Sequence, residues 1–308
     1  MESDTKEPVY IIIPVHNRKA ITLQCLETLK TNGDLDRYHT VVVDDGSTDG
    51  TSEAIKSLYP DVILLHGDGN LWWTGAIKMG MEYAYEQGAE YFIWLNDDCL
   101  VECHLLEEIV QTIQSIPNSI IGAQGYESKN TNQLSFGGRN KIGLLEYKFI
   151  FCKEKEVLKC DLLSGNLVCL PRFIVTQLGY PNKKLLPHYG GDSEYLIRAR
   201  RNGYTLFITN FQKARNIAET SNLSPKSWIL EPGGALDVFK LLFQPQSCLH
   251  WHIYYMLSIA EYQNKLAPAI GILYYTKRFL IPVFIITVFR LFPLKLRSKM
   301  RLLKNALG

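Results

Sequence analysis

The chain has 308 residues and is 46% hydrophobic, so it is long and apolar enough to bury a large core. Its 33 Lys and Arg residues nearly balance its 31 Asp and Glu residues, and a net charge of +2 excludes a global field that would attract nucleic acid. The seven cysteines are scattered without a CxxC pair, and the charged start MESDTKEPVY lacks the long apolar stretch of a signal peptide; both favour the reducing cytoplasm.

The first hundred residues alternate between short β-branched runs and segments with apolar residues at helical spacing. In chain order the pattern predicts strand 9–15, helix 20–29, strand 40–43, helix 51–58, strand 62–65, helix 75–87 and strand 91–95. Repeated strand-helix alternation is typical of an α/β fold, so we predict a mostly parallel sheet with helices on both faces.

The second half of the chain is less regular. Residues 124–159 are rich in Gly, Asn and Lys, which predicts hairpins or a flap rather than a new domain. A strand-like run follows over 162–170 and contains Ser164-Gly165-Asn166, and a helix is predicted over 191–202 after a Gly-Gly turn.

The C-terminal region, residues 266–308, is apolar and basic. Its uninterrupted apolar core, 279–289, is shorter than the roughly 18 residues that a spanning helix needs, so we expect none. We predict an amphipathic helical region that lies in a membrane interface; the alternative is a helix packed on the catalytic domain with a solvated basic tail. The basic residues around the apolar core are Lys277, Arg278, Arg290, Lys295, Arg297, Lys299, Arg301 and Lys304.

Polar clusters follow the predicted strands where each strand ends. Ligands of open parallel sheets bind beyond the carboxyl ends of the strands, so these loops should converge on one edge. The clusters are His16-Asn17-Arg18, Asp44-Asp45, Gly67 to Asn70 and Asn96-Asp97-Asp98.

The acidic clusters have both a functional and a purely structural interpretation. The triplet Asn96-Asp97-Asp98 would present hard oxygen ligands to a divalent metal and a diphosphate, or would form a polar turn that caps the next helix. Asp44 and Asp45 would accept hydrogen bonds from a base or ribose, or would bond only their own turn. Two acidic loops at one sheet edge favour a ligand site, because like charges repel.

Two further segments could carry chemistry. The loop from Gly67 to Gly75 is small and aromatic and opens a helix, which suits a phosphate, although no GxGxxG or P-loop motif occurs. Asp192, at the start of the helix over 191–202, is either a helix cap or a general base for an acceptor hydroxyl. His188 is a second candidate base.

Taken in order, six segments resemble family 2 inverting glycosyltransferases, particularly the rhamnosyltransferase-like branch of bacterial surface polysaccharide synthesis. They are IIIPVHNR, VVVDDGSTDGT, GNLWWTGAIKMGM, WLNDDC, LLSGNLVCLPR and GGDSEYLIRARRNGY, and the resemblance covers about residues 9–209. The resemblance implies a GT-A fold with a nucleotide-sugar-binding half over 1–123, an acceptor-binding half over 124–265 and a metal-assisted single displacement.

The same resemblance assigns roles to individual residues. Asp192 becomes the catalytic base, Asp98 the direct ligand of Mg2+ or Mn2+, and Asn216 a weaker ligand where relatives often carry His. Gly191 stands where relatives carry Glu, and Lys78 where they often carry Asn. The implied donor-binding residues are Pro14, Asn17, Arg18, Asp44, Asp45, Asn70, Gly75, Asn96 and Asp97.

The function that the resemblance implies is transfer of a sugar from dTDP-rhamnose or a UDP-sugar to a hydroxyl of a glycan or lipid-linked sugar. The expected location is the cytoplasmic face of the cell membrane, with no nucleic acid partner. A nucleotidyltransferase would need a Gly-rich basic loop after the first strand, which IIIPVHNRKA lacks. The alternative from another class is a catalytically silent nucleotide-sugar-binding or membrane-scaffold protein, against which the joint presence of Asp98 and Asp192 argues.

Overall fold

The computed structural model describes residues 6–129, 133–217, 234–244 and 247–298. The chain divides into two compact units, residues 1–219 and 220–308. The predicted donor-binding half over 1–123, acceptor-binding half over 124–265 and C-terminal region over 266–308 stay predictions.

The first unit contains thirteen strands and seven helices in its described residues. The strands are β1 (Glu7–Val15), β2 (Tyr38–Asp44), β3 (Ile63–His66), β4 (Tyr91–Leu95), β5 (Cys99–Val101), β6 (Ser119–Glu127), β7 (Leu134–Phe136), β8 (Gly138–Lys141), β9 (Tyr147–Phe149), β10 (Val157–Cys160), β11 (Leu162–Leu163), β12 (Leu167–Pro171) and β13 (Thr205–Asn216). The helices are α1 (Lys19–Thr31), α2 (Asp34–Arg37), α3 (Thr51–Leu58), α4 (Trp72–Glu86), α5 (Leu105–Ser115), α6 (Arg172–Leu178) and α7 (Gly191–Arg201).

The main sheet has the strand order β10-β13-β6-β12-β4-β1-β2-β3. Strands β4, β1, β2 and β3 pair in parallel, and the register sets Val15 opposite Asp44 and Asp44 opposite His66. The ends of these strands therefore meet at one edge, where the predicted polar loops leave the sheet.

Helices cover both faces of this sheet. Alternate residues of β1 point in opposite directions: Ile11 and Ile13 join the core beneath α1, α3 and α5, while Ile12 faces α4. Gly80 of α4 lets that helix approach closely, because a Cβ atom there would lie 2.4 Å from the Ile12 side chain. The predicted α/β fold with a mostly parallel sheet and helices on both faces is confirmed.

The strand-like run predicted over 162–170 forms two strands with a turn between them. β12 inserts antiparallel between β4 and β6, and its first residue, Leu167, pairs with Leu95 at the end of β4. The turn Ser164-Gly165-Asn166 is thereby placed at the same edge as the acidic triplet. β11 instead joins β8 and β9 in a small three-stranded sheet. Strands β8 and β9 belong to the segment 124–159, for which hairpins or a flap were predicted.

The second unit is helical in its described residues. Its helices are α8 (Asp237–Lys240), α9 (Trp251–Tyr262), α10 (Ala267–Tyr275), a π-helical turn (Thr276–Leu280) and α11 (Ile281–Phe289). Val238, Leu242 and Leu249 pack with Tyr275, Val283 and Ile286 in a core of its own.

The helix formed by α10, the π-helical turn and α11 runs without a break from Ala267 to Phe289. With 23 residues and a mean hydropathy of 1.6, it is long and apolar enough to cross a membrane by length and composition alone, a test that core helices of soluble proteins also pass. In the sequence analysis no apolar helix of this length was expected, which was wrong, because only the apolar core after Lys277 and Arg278 was counted. Lys299, Arg301 and Lys304 of the predicted basic tail lie outside the described residues.

Candidate active site

The loops that follow β1 and β2 are joined by hydrogen bonds. Thr48 N donates to Asn17 Oδ1 at 2.7 Å, and Asn17 N donates to Ser47 Oγ at 2.8 Å. Asn17 has a positive φ of 50°, a conformation that Asn tolerates better than most residues, and it turns the chain away from Pro14 and the end of β1. These contacts hold two of the predicted donor loops as one surface.

The carboxylates of Asp44 and Asp45 are both buried and bonded within the chain. Asp44 accepts Ser47 N at 3.0 Å and the Ser52 hydroxyl, as in the polar-turn interpretation. Asp45 reaches across to the next loop, accepting Gly69 N at 2.9 Å and Trp72 N at 2.8 Å. Asp45 thus shapes the loop before α4, and donor contact by either carboxylate stays a prediction.

Arg18 binds the acidic triplet directly. Its guanidinium lies 2.9 Å from Asp97 Oδ1 and 2.9 Å from Asp98 Oδ2. The two carboxylates outweigh burial and raise the pKa of Arg18 above its ordinary value. Arg18 therefore orients both aspartates from the opposite loop.

Asp97 and Asp98 differ in what remains available for a ligand. Both oxygens of Asp97 are used inside the protein, because Thr22 Oγ1 donates to Oδ2 at 3.1 Å while Arg18 binds Oδ1. Asp98 Oδ1 is buried and has no hydrogen-bond partner. This unpaired oxygen is the one atom of the triplet's carboxylates whose surroundings call for an additional ligand.

Burial raises the pKa of Asp97 to about 6 from an ordinary 3.8, against the opposing effect of Arg18. The folded protein then binds more protons than the unfolded chain between about pH 4 and pH 6, so stability falls as pH rises through that range. A shift of about two units corresponds to at most about 3 kcal/mol. We expect Asp97→Asn to flatten this slope in urea unfolding at pH 4, 5, 6 and 7.

Part of the pH dependence should remain in that variant, because burial also raises the pKa of Asp34 to about 6. Equal slopes for the wild-type protein and Asp97→Asn would contradict the assignment. Asp34→Asn serves as the matched comparison, since it removes a second buried carboxyl outside the triplet.

Asn96 does not point its side-chain oxygen at open solvent. Trp73 Nε1 donates to Asn96 Oδ1 at 2.8 Å, and Asn96 N donates to the carbonyl of Asn166 at 2.9 Å. The triplet is thus attached both to the start of α4 and to the turn between β11 and β12. This role was not assigned to Trp73 in the sequence analysis.

Asp192 is not a helix cap. Helix α7 is preceded by Gly190 with a φ of 82° and has no side-chain capping bond, whereas Asp192 Oδ2 accepts Gly165 N at 2.9 Å from the turn before β12. The side chain is only half-buried, so its carboxylate can reach an incoming group. A hydrogen bond from a backbone N–H fixes one carboxylate oxygen and leaves the other accessible, which is a suitable arrangement for a general base.

His188, the second candidate base, interacts with Asp192 and is itself half-buried. Burial lowers its pKa, although Asp192 acts in the opposite direction, so the imidazole is neutral near pH 7. Its Nδ1 is buried without a hydrogen-bond partner, and its ring lies 5.6 Å from that of Trp72. Trp72 itself has a positive φ of 55°, held by the bond from its N–H to Asp45.

Glycine is required at two positions around Asp192. A Cβ atom on Gly165 would lie 2.6 Å from Asp192 Cβ and 3.1 Å from Trp73 Cζ2. A Cβ atom on Gly191 would lie 2.0 Å from Thr74 Oγ1. Glycine at position 191 is therefore built into the packing between α4 and α7.

Gly165→Ala is expected to push Asp192 from its position. We expect at least a tenfold loss of turnover and a fall of about 1–3 kcal/mol in the free energy of unfolding, as in other overpacked sites. Gly143→Ala is the matched control, because its Cβ would meet only ordinary contacts from 3.4 Å outward. Equal behaviour of the two variants in transfer assays and urea unfolding would show that position 165 tolerates a side chain.

The remaining predicted residues lie around this edge in varied settings. Asn70 is exposed and donates its backbone N–H to Asp68 Oδ1 at 2.9 Å, while Gly75 lies in the first turn of α4 against the Lys183 side chain. Asn216 Nδ2 donates to Ser135 Oγ at 3.0 Å, and the next residue, Ile217, donates its N–H to the Asp98 carbonyl at 2.9 Å. Metal ligation by Asn216 stays a prediction.

A divalent metal fits this arrangement through Asp98. Within the described residues, no three His, Cys, Asp or Glu side chains gather closely enough to hold a metal by themselves. Magnesium-type sites commonly use one or two carboxylates and complete their shell with substrate phosphates and water. The unpaired Asp98 Oδ1 supplies such a carboxylate oxygen, provided that a diphosphate supplies others.

The sequence model of glycosyl transferase family 2 matches residues 10–165, which are 156 of the 308 residues. The chain belongs to this family. The match contains the loops after β1 and β2, the acidic triplet and Gly165, and it ends before Asp192. Comparison with curated protein sequences gives no match.

Solved structures share the fold of this family 2 chain at low sequence identity. GalNAc-T7 with UDP, GalNAc and Mn2+ superposes with a TM-score of 0.58 at 15% identity over 69% of this chain and 43% of its own. The mannosyltransferase PcManGT from Pyrobaculum calidifontis, with GDP-Man and Mn2+, gives 0.57 at 15% identity over 92% and 74%. S. aureus TarS gives 0.51 at 15% identity over 89% and 44%.

The chain thus spans less than half the length of GalNAc-T7 and of TarS. At this level of identity the likeness concerns the fold alone. Together with the family match it confirms the expected GT-A-like architecture.

Proposed function

We propose that this family 2 chain is an inverting glycosyltransferase. It moves a sugar from a nucleotide diphosphate donor to a hydroxyl group of a glycan or a lipid-linked sugar. The observation that carries the proposal is the turn Gly165-Asn166, which contacts both Asp192 and the acidic triplet. Gly165 N holds Asp192 at 2.9 Å, and the Asn166 carbonyl accepts Asn96 N at 2.9 Å beside Asp98.

That turn bonds both to Asp192, the proposed general base, and to the triplet that contains Asp98, the proposed metal ligand. A reaction that needs both at once is displacement at a sugar carbon bearing a diphosphate, with a proton removed on one side and negative charge developing on the other. A silent binding protein has no need for an aspartate that is held by a backbone amide and left accessible.

The proposed step is a single displacement. The acceptor hydroxyl gives its proton to Asp192 while its oxygen forms a bond to the anomeric carbon. The bond from that carbon to the diphosphate oxygen breaks, and the electron pair leaves with the nucleoside diphosphate. A divalent cation, when bound, offsets the charge on that leaving group. Arg18 keeps Asp98 oriented through its ion pair at 2.9 Å, and Gly165 keeps Asp192 oriented.

The donor class is supported by the unpaired Asp98 Oδ1 and by the fold relatives. GalNAc-T7 and PcManGT were solved with UDP and GDP-Man respectively, each with Mn2+. The motifs of the chain resemble the rhamnosyltransferase-like branch, so dTDP-rhamnose is the first donor to test and UDP-sugars are the next. Bacterial surface polysaccharide is the product class that this resemblance suggests.

A membrane-surface location is supported by the second unit. Ile281, Phe284, Ile285 and Val288 form an exposed apolar stripe on α11, while Val283 and Ile286 between them are buried in the unit's core. Lys277 and Arg278 are exposed and lie near the middle of the helix from Ala267 to Phe289. Two cations at the centre of a bilayer cost about 2.5–3.5 kcal/mol each, which favours a helix lying in the interface.

We expect Phe284→Ser with Ile285→Ser to weaken binding to vesicles of anionic lipid by tenfold or more, because each buried methylene contributes about 0.8 kcal/mol. Cosedimentation with vesicles measures this. Leu58→Ser on α3 is the control, since it removes an equally exposed apolar side chain from the first unit. Unchanged cosedimentation of the α11 variant would refute the interfacial role. Truncation after residue 265 is a poorer test, since it removes half of the second unit's core.

The proposed function itself is tested by screening purified protein with Mn2+ or Mg2+ against dTDP-rhamnose and UDP- and GDP-sugars. Release of nucleoside diphosphate, with a product of inverted anomeric configuration, is the expected result. A retained configuration would refute the single displacement, and binding without release of nucleoside diphosphate would identify a silent binding protein.

A further inference from the structure

Arg139 is a half-buried cation that the proposed reaction does not use. It lies in β8, opposite Phe149 of β9 and Leu162 of β11. A Cβ atom on the preceding residue, Gly138, would lie 3.0 Å from Ile208 of the main sheet, so the side chain of Arg139 points away from that sheet. Its guanidinium lies 5.7 Å from the centre of the Phe149 ring.

The hydrogen bonds of this guanidinium are incomplete. Arginine has five N–H donors, yet Nη2 makes only a 3.4 Å contact with the Leu163 carbonyl, and the buried Nε has no partner. In the described part of the chain no carboxylate forms a salt bridge with it. A buried N–H donor without a partner is costly, so the surroundings of Nε call for an acceptor from elsewhere, which the half-buried guanidinium can meet from solvent.

Arg139 contacts the segment that holds Asp192, the proposed base. Leu163, whose carbonyl it contacts, lies two residues before Gly165, whose N–H holds Asp192. Burial lowers the pKa of Arg139, and Asp192 is the carboxylate that opposes this most. Because arginine stays protonated in proteins, this guanidinium acts on Asp192 as a positive charge, and no salt bridge between the two occurs in the described residues.

We propose that Arg139 binds an anionic group, a phosphate or a carboxylate, that the acceptor carries near the hydroxyl which Asp192 deprotonates. The planar fork of arginine matches the oxygens of either group. Calling the ligand an acceptor rests on the proposed function, whereas the anion site does not. Pairing also offsets the positive charge beside Asp192, which would otherwise weaken that carboxylate as a base.

The test measures binding rather than turnover. Isothermal titration calorimetry measures the binding of four ligands: glucose, glucuronate, glucose 6-phosphate and inorganic phosphate. The proteins compared are the wild type, Arg139→Gln, Arg139→Lys and Lys148→Gln. Lys148 is an exposed cation on β9 of the same small sheet, so its variant controls for net charge. Arg139→Lys keeps the charge without the fork and guards against a folding defect in Arg139→Gln.

We expect the wild-type protein to bind at least one charged sugar about tenfold or more tightly than glucose, the gain of a charge-assisted hydrogen bond. Arg139→Gln should lose that preference, Arg139→Lys should keep part of it, and Lys148→Gln should keep all of it. The two charged sugars distinguish carboxylate from phosphate. Equal affinity of the wild-type protein for charged and neutral sugars would overturn the proposal, as would equal losses in the Arg139 and Lys148 variants.

Inorganic phosphate that binds as tightly as the sugar phosphate would indicate a free-anion site and overturn the acceptor assignment. Donor hydrolysis by the same preparations keeps the two proposals separate. A protein that hydrolyses donor without charge preference retains the proposed function and loses this inference. A protein that binds charged sugars through Arg139 without transfer or hydrolysis retains the anion site and loses the proposed function.

Discussion

Asp192→Asn is expected to abolish sugar transfer while leaving the fold and donor binding intact. The amide oxygen of Asn can still accept the N–H of Gly165, so the side chain keeps its place. It cannot take a proton, and loss of a general base commonly costs about 10²–10⁴-fold in turnover. Steady-state kinetics of the variant should show this fall in kcat, and titration of the donor should show an unchanged dissociation constant.

Glu53→Gln is the matched control for this variant. Glu53 is an exposed carboxylate in the first turn of α3, and that helix also starts after a glycine with a φ near 80°. Loss of the Glu53 charge removes a favourable interaction with the helix dipole, as Asp192→Asn does, but leaves the sheet edge unchanged. If Asp192→Asn turned over at a rate near that of Glu53→Gln, Asp192 would not be the base, and neutral His188 would be the next candidate.

The parts of the fold that depend on local pattern could be predicted from the sequence. Helix α3 and strand β4 have the predicted bounds, because their apolar spacing and flanking turns contain all the information needed. Helix α4 begins at Trp72, three residues earlier than predicted. The reason is the long-range bond from Trp72 N–H to Asp45, which no local pattern reveals.

The parts of the site that depend on pairing between distant segments could not be predicted. The acidic triplet was found by residue type and its position after a strand, and Asp192 by its position at the start of a predicted helix. The roles of Gly165 and Trp73 depend on β12 inserting antiparallel next to β4, which the apolar run over 162–170 does not indicate. Arg139 has no sequence signal either, since an arginine in an irregular segment is ordinarily exposed.

The acidic triplet yields the second large effect, because its two aspartates should respond differently to the same change. Asp98→Asn removes the carboxylate whose Oδ1 is unpaired, and we expect metal-dependent donor binding to weaken about a hundredfold or more. Asp97→Asn removes a carboxylate whose two oxygens are already bonded to Arg18 and Thr22, and donor binding should stay within a few-fold. Titration of donor with and without Mn2+ measures both.

The comparison within one triplet controls for charge, since each variant removes one carboxylate beside Arg18. If Arg18 alone held the donor diphosphate, freeing its guanidinium in either variant would strengthen metal-free binding to a similar degree. If Asp98 holds the metal, only Asp98→Asn loses the difference between titrations with and without Mn2+. Equal metal dependence in both variants would therefore remove Asp98 from the donor site, and Arg18 would become the group that neutralises the diphosphate.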